Sequence, residues 1–168
     1  RPLHALRERG VEYVEVRLMD LDPFEPVGIQ SRTMRFLDVF LLHCLLSASP
    51  IDTPQEIAAL GRNQQAVAQR GREPGLRLER GERSVALADW AAELLADMLP
   101  IAQRLDQVQG DTLNAQAVAH ASQSLVLPDG LPSARVLQTV QQEYAGAYVG
   151  FVKAQSARIR QSMLDMPI

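Results

Sequence analysis

The alternation Val11-Glu12-Tyr13-Val14-Glu15-Val16-Arg17-Leu18 constrains the fold of this 168-residue chain more than any other segment. Side chains two apart on a strand point the same way. Residues 11–18 are therefore expected to form a strand with Tyr13, Glu15 and Arg17 on one face. Val14, Val16 and Leu18 take the other face, the expected buried side. Such a strand suits a sheet with one face on a hydrophobic core and the other lining a polar cleft. A lone strand cannot satisfy its own backbone donors and acceptors. The remaining sequence scarcely supplies partners: only Leu76 and Leu78, then Val85 and Leu87, alternate with polar residues, which predicts a small hairpin or a long ordered loop. The strand is thus expected to dock on a sheet from another part of a longer protein, or to pair with a second copy of itself. The absence of an initiating Met points to an internal or C-terminal piece.

The remainder patterns as helix. Pro2 to Arg9 predicts the last turns of a helix stopped by Gly10. Residues 21–29, with Pro23, Pro26 and Gly28, predict an extended loop. Ser31 is a candidate N-cap for a helix striped by Met34, Leu37, Val39, Phe40, Leu41, Cys44 and Leu45, ending near Ser49-Pro50. Thr53-Pro54-Gln55-Glu56 has the form of a capped start, with Thr at the N-cap, Pro first and Glu third. That helix should run to about Arg70 and stop at Gly71. A further helix is expected from Leu87 to Val108, with Leu94, Leu95, Met98, Ile101, Ala102 and Leu105 on one side and Pro100 kinking or dividing it. Thr112 to Gln123 predicts a short helix, and Pro128 to Pro132 a turn. Ser133 should cap a last helix through Val140, Tyr144, Tyr148 and Phe151 towards Met163, with Tyr144 and Tyr148 as i, i+4 packing partners. The fold class is mainly α with a short β component (α+β). Residues 1–30 supply a helix end, strand and loop belonging to a sheet, and residues 31–168 a helical region.

Composition narrows the function classes. The net charge of −3 offers no electrostatic argument for nucleic acid. The apolar run Phe40–Leu46 is far too short for a bilayer, which needs roughly 20 residues, and no leading apolar segment suggests a secretory signal. Cys44 is the single cysteine; a disulfide framework is excluded and a reducing, cytoplasmic compartment is natural. Inside its apolar run, Cys44 is expected to be buried and inert. His4, His43 and His120 fall on separate helical segments without zinc-ligand spacing. Gly71-Arg72-Glu73-Pro74-Gly75 lacks the Lys-Ser/Thr ending of a phosphate-binding P-loop, and no GxSxG elbow is present. Arg158 and Arg160 fit a solvated helix face.

The chemistry therefore rests on Glu15 and Arg17. A cleft-facing carboxylate can hold Mg²⁺, which shares its oxygen ligands with substrate phosphates, and an arginine two residues on can bind phosphate or carboxylate bidentately. The same pair also fits a surface cross-strand salt bridge of little energetic weight. Glu12 is expected at a solvated edge, and Asp20 and Asp22 as turn-formers. Two classes stand at this point: part of a catalytic site, or a helical interaction or scaffold domain whose Glu15/Arg17 pair is structural.

Gly10 to Arg17 followed by Leu21-Asp22-Pro23-Phe24-Glu25-Pro26-Val27-Gly28-Ile29 resembles proteobacterial glutamate–cysteine ligase (γ-glutamylcysteine synthetase). So do Arg35-Phe36-Leu37-Asp38-Val39-Phe40, Gly71-Arg72-Glu73-Pro74-Gly75-Leu76 and Ser133-Ala134-Arg135-Val136-Leu137, in the family's order. The resemblance implies a ligase that uses ATP to phosphorylate the γ-carboxylate of L-glutamate. The amine of L-cysteine then displaces phosphate, in the first step of glutathione synthesis. It implies a cleft on a curved antiparallel sheet, mostly missing here, with Mg²⁺ (Mn²⁺ as an alternative) held by several glutamates. On that resemblance Glu15 is a metal ligand and Arg17 contacts the transferred phosphate. The chain would be the helical C-terminal portion of the larger enzyme. The other ligands and most of the substrate pocket would lie in the N-terminal part, leaving this piece inactive alone. Asn63 to Arg70 departs from the bulkier, more basic family pattern, which leaves a substrate-side role for that helix open.

Overall fold

A computed structural model describes residues 2–17, 19–127 and 130–166. Its elements run α1 (Pro2–Arg9), α2 (Ser31–Leu46), α3 (Pro54–Arg70), β1 (Arg77–Arg80), β2 (Arg83–Ala86), α4 (Leu87–Gln109), α5 (Leu113–Val126), α6 (Pro132–Tyr144) and α7 (Tyr148–Leu164). The mainly helical architecture with a small antiparallel sheet matches the sequence expectation.

Local chemistry explains several boundaries. Thr53 Oγ1 accepts the Glu56 backbone N–H at 3.1 Å, and Pro54 occupies the first helical position of α3. β1 and β2 form the hairpin, paired Arg77↔Ala86 through Arg80↔Arg83 around a Gly81-Glu82 turn in which Gly81 has φ +61°. Pro100 does not divide α4. Pro100 and Ala96, whose carbonyl it cannot serve, both lie on the exposed side, while Leu95, Met98 and Ala102 anchor the buried side. The core is built by α2, α4 and α5, with Val39, Leu95, Met98, Ala102 and Val118 buried together. α3 packs on β1, and β2 leads into α4.

Other expectations fail. Residues 11–17 form neither helix nor strand and make no backbone–backbone hydrogen bond among the described residues. Val14 and Val16 are 63% and 43% exposed rather than buried. Leu18 lies outside the described residues. The cause is the one the sequence raised: a strand needs a ladder partner, and the only described strands pair with each other. Cys44 is exposed, not buried. It lies five residues beyond Val39, so at 3.6 residues per turn it points well away from the buried stripe. α2 stops at Leu46, before Ser49-Pro50. Ser31 and Ser133 fall inside their helices, and neither α2 nor α6 has a side-chain cap. The last helix is two: Ala145 (φ 48°) and Gly146 (φ 83°) break it. Tyr144 and Tyr148 consequently sit on different helices, and each packs against Phe151, at 5.8 and 6.2 Å.

Candidate functional site

Glu15 and Arg17 sit side by side although their segment forms no strand: Arg17 Nε donates to Glu15 Oε2. Both are well exposed, with side-chain exposures of 43% for Glu15 and 80% for Arg17. Glu15 Oε1 has no protein donor among the described residues, which leaves one oxygen for a further ligand.

Arg17 lines a cleft of about 1200 Å³. Met19 and Asp20 continue that wall, Arg70 to Glu73 form a second, and Leu131 and Ser133 at the start of α6 a third. Segments separated by more than fifty residues thus meet around one space. Three of them carry the sequence blocks singled out above: the strand-to-loop segment, the Gly71–Leu76 turn and the Ser133–Leu137 segment.

Each wall has its own support. In the loop after Arg17, Asp22 is the turn-former expected: Oδ1 accepts the Phe24 N–H at 2.9 Å, and the Asp22 N–H donates to the Gly28 carbonyl at 2.8 Å. Gly28 closes this loop at φ +75°, a conformation strained for other residues. Phe24 packs 5.9 Å from Phe151, and the Arg135 guanidinium lies 3.7 Å from the centre of the Phe24 ring. The turn after α3 is held by Arg70, which makes two hydrogen bonds of 2.7 Å to the Glu73 carboxylate. That contact holds Glu73 below the usual carboxylate range. α3 is fastened to β1 by Asn63, whose Nδ2 donates to the Glu79 carbonyl at 2.7 Å while Oδ1 accepts the Glu79 N–H at 2.9 Å. Arg62 grips the Glu79 carboxylate through two bonds of 2.7 Å.

Asn63 therefore has a structural role within the segment expected to depart from the family pattern, and it lines the cleft together with Gln64 and Gln69. Spacing alone missed Arg72 and Ser133 as cleft residues; only their membership of the resemblance blocks marked them. Asp20 lines the cleft and, unlike Asp22, makes no turn hydrogen bond among the described residues.

Mg²⁺, the cation that the resemblance implies, needs oxygen donors that converge on one point. No group of three or more His, Cys, Asp or Glu side chains is placed to hold a metal ion among the described residues. Mg²⁺ usually keeps several waters and takes one or two carboxylates plus substrate phosphates. Glu15, with one open oxygen, fits one ligand position and not a complete site.

The family model for glutamate-cysteine ligase matches residues 1–67. Glutamate–cysteine ligase of Azotobacter vinelandii is 41% identical over 169 residues, covering 100% of this chain and 32% of the relative. That of Alcanivorax borkumensis is 40% identical over 148 residues, covering 88% of this chain and 28% of the relative. The crystal structure of the Francisella tularensis glutamate–cysteine ligase in complex with AMP superposes with a TM-score of 0.86 at 32% identity, covering 99% of this chain and 32% of that one. The chain belongs to the glutamate–cysteine ligase family. It spans about a third or less of the length of these relatives.

Proposed function

We propose that this chain is the C-terminal, cleft-forming part of a cytoplasmic ATP-dependent glutamate–cysteine ligase, contributing Glu15 and Arg17 to a site completed by the rest of the enzyme. The observation that carries this reading is the convergence of three separated blocks on the cleft that Arg17 lines. Family membership and the AMP complex of the Francisella relative support the nucleotide-dependent chemistry.

In the proposed reaction an oxygen of the L-glutamate γ-carboxylate attacks the γ-phosphorus of ATP, and the bond to the ADP oxygen breaks. The L-cysteine amine then attacks the γ-glutamyl phosphate carbonyl carbon. The carbon–oxygen bond to phosphate breaks, and the amine gives up a proton as the amide forms. Charge on the transferring phosphoryl oxygens is the main obstacle. Arg17 is suited to neutralise it with fixed in-plane N–H donors. Glu15, through its open oxygen, would be one ligand of the Mg²⁺ (or Mn²⁺) that screens the phosphates when bound. The exposed Val14 and Val16 face, with its unpaired backbone, would join the sheet supplied by the remaining polypeptide.

The test is Glu15→Gln and Arg17→Ala in the full-length polypeptide, assayed for ATP-dependent γ-glutamylcysteine formation. Each is expected to lower kcat/KM by at least 100-fold with the fold intact, in line with the weight of a lost transition-state charge contact. Near-normal rates would instead favour a structural pair in a scaffold domain. The 168-residue chain alone is expected to show no turnover; measurable ligase activity from it refutes the shared-site arrangement.

A further inference from the structure

The loop that follows Arg17 meets the α6–α7 pair at one aromatic contact. Residues 22–28 close on themselves: the Asp22 N–H donates to the Gly28 carbonyl at 2.8 Å, the Gly28 N–H to the Glu25 carbonyl at 3.1 Å, and the Phe24 N–H to Asp22 Oδ1 at 2.9 Å. This closed loop presents the half-buried Phe24 ring to both helices. Phe151 of α7, 2% exposed, packs 5.9 Å from it, and the Arg135 guanidinium of α6 lies 3.7 Å from its centre. Tyr144 and Tyr148 pack on Phe151 in turn. α6 and α7 pack on each other, while neither packs extensively on α2, α3, α4 or α5. Phe24 therefore fastens this helical pair to the segment that carries Arg17.

Both partners of the stack stand close to the Arg17 cleft without lining it. Ser133, in the same helical turn as Arg135, is a cleft residue, and so are Met19 and Asp20, which lead from Arg17 into the loop. Arg135 makes no hydrogen bond or ion pair among the described residues; the Phe24 ring is its recorded partner. Residues 11–17 have no backbone ladder within the described residues. On its C-terminal side, Arg17 is thus held through the loop that Phe24 anchors.

We propose that Phe24 and Arg135 are positioning residues for phosphoryl transfer. Their stack holds the α6 wall, at Leu131 and Ser133, in a fixed place relative to Arg17 and so sets the width of the cleft. This inference rests on the function proposed above. A guanidinium that neutralises charge in the transition state acts only from the correct place, and a misplacement of about 1 Å can cost about 100-fold in rate. Because neither Phe24 nor Arg135 lines the cleft, their loss should fall on the chemical step rather than on substrate binding.

Steady-state kinetics of ATP-dependent γ-glutamylcysteine formation by the full-length polypeptide tests this, at a temperature where circular dichroism shows every variant folded. Arg135→Gln, at an exposed position of α6, removes the guanidinium without opening the core. It should lower kcat about tenfold or more, with KM for ATP and L-glutamate changed by less than about threefold. Phe24→Leu should do the same. Phe24→Tyr and Arg135→Lys, which keep the ring and the cation, should recover most of the rate. The Phe24→Leu/Arg135→Gln double variant should stay within about twofold of the slower single variant, because one stack can be lost only once. A merely structural contact would lower the thermal midpoint and leave kcat alone. The positioning role is overturned by an Arg135→Gln kcat within about twofold of wild type, by no recovery in the conservative variants, or by multiplicative losses in the double variant. Near-normal rates in Arg17→Ala overturn it together with the proposed function. A large loss in Arg17→Ala with none in Arg135→Gln overturns the positioning role alone.

Discussion

Asp106 offers the most quantitative test of how the helical body is held. It is 6% exposed near the end of α4 and receives three hydrogen bonds from the start of α5. Oδ1 accepts the Asn114 backbone N–H at 2.9 Å and Asn114 Nδ2 at 2.8 Å, and Oδ2 accepts the Ala115 N–H at 2.9 Å. Asp106 is therefore the N-terminal cap of α5, supplied from a different helix. In Asp106→Ala the Asn114 N–H, on a residue 1% exposed, loses its acceptor, and the Ala115 N–H loses one too. Asn114 Nδ2 keeps Gln109 Oε1, at 2.9 Å. An orphaned buried donor costs about 1–3 kcal/mol, and bonds to a charged acceptor lie at the upper end. With two donors affected, the loss is about 3–5 kcal/mol. With a urea m-value of about 2 kcal/mol/M, the midpoint should fall by roughly 1.5–2.5 M. Asp106→Asn keeps the shape but turns one acceptor into a donor, so roughly half that loss is expected. Burial raises the Asp106 pKa, while the bonds from Ala115 and Asn114 outweigh it and leave the group below its ordinary value. A depressed native value means stability that is full above the unfolded value and lost as pH falls through the folded one. The gap between wild type and Asp106→Asn should therefore narrow in acid. A midpoint shift under 0.5 M for Asp106→Ala, in urea unfolding followed by circular dichroism, would show that water takes over the cap and that the reasoning is wrong.

Two further outcomes follow from the corrected elements. Ala145 occupies the left-handed region at φ 48°, so Ala145→Gly should stabilise by about 0.5–1 kcal/mol, raising the thermal midpoint by about 1–4 °C; a lower midpoint would speak against the break between α6 and α7. Because Cys44 is exposed, Ellman's reagent should modify the native thiol within about tenfold of the unfolded rate, as for an accessible thiol of ordinary reactivity. Protection by orders of magnitude would restore the buried assignment.

The sequence made the fold legible wherever a local rule governs it. Thr53-Pro54-Gln55-Glu56 is a self-contained start signal, and the stripe Leu95, Met98, Ala102 marks a buried helix face without reference to anything else. Rules failed where tertiary context decides. Ser31 and Ser133 are chemically fit to cap, yet Gln30 and Leu131 hold the cap positions. α5 is instead capped by an acid eight residues before Asn114, on another helix, a pairing visible to no window-based reading. The Ala145-Gly146 break lay inside a continuous apolar period, where the left-handed alanine gave no warning.

The candidate site divides along the same line. That Glu15 and Arg17 would be neighbours on one face followed from the two-residue period, and their side chains do touch. Which surface Arg17 would look onto could not follow, because the opposing walls lie more than fifty and more than a hundred residues away. The valine face shows the complementary limit. Period 2 sets Val14 and Val16 opposite Glu15 and Arg17 only in a strand, and a strand requires a partner sheet, whereas β1 and β2 are occupied with each other. An alternating segment is thus an instruction for pairing rather than a strand in its own right. Here only Arg17 of the polar half reaches the cleft within the chain, while Tyr13 and the valines are left exposed, open to a partner surface.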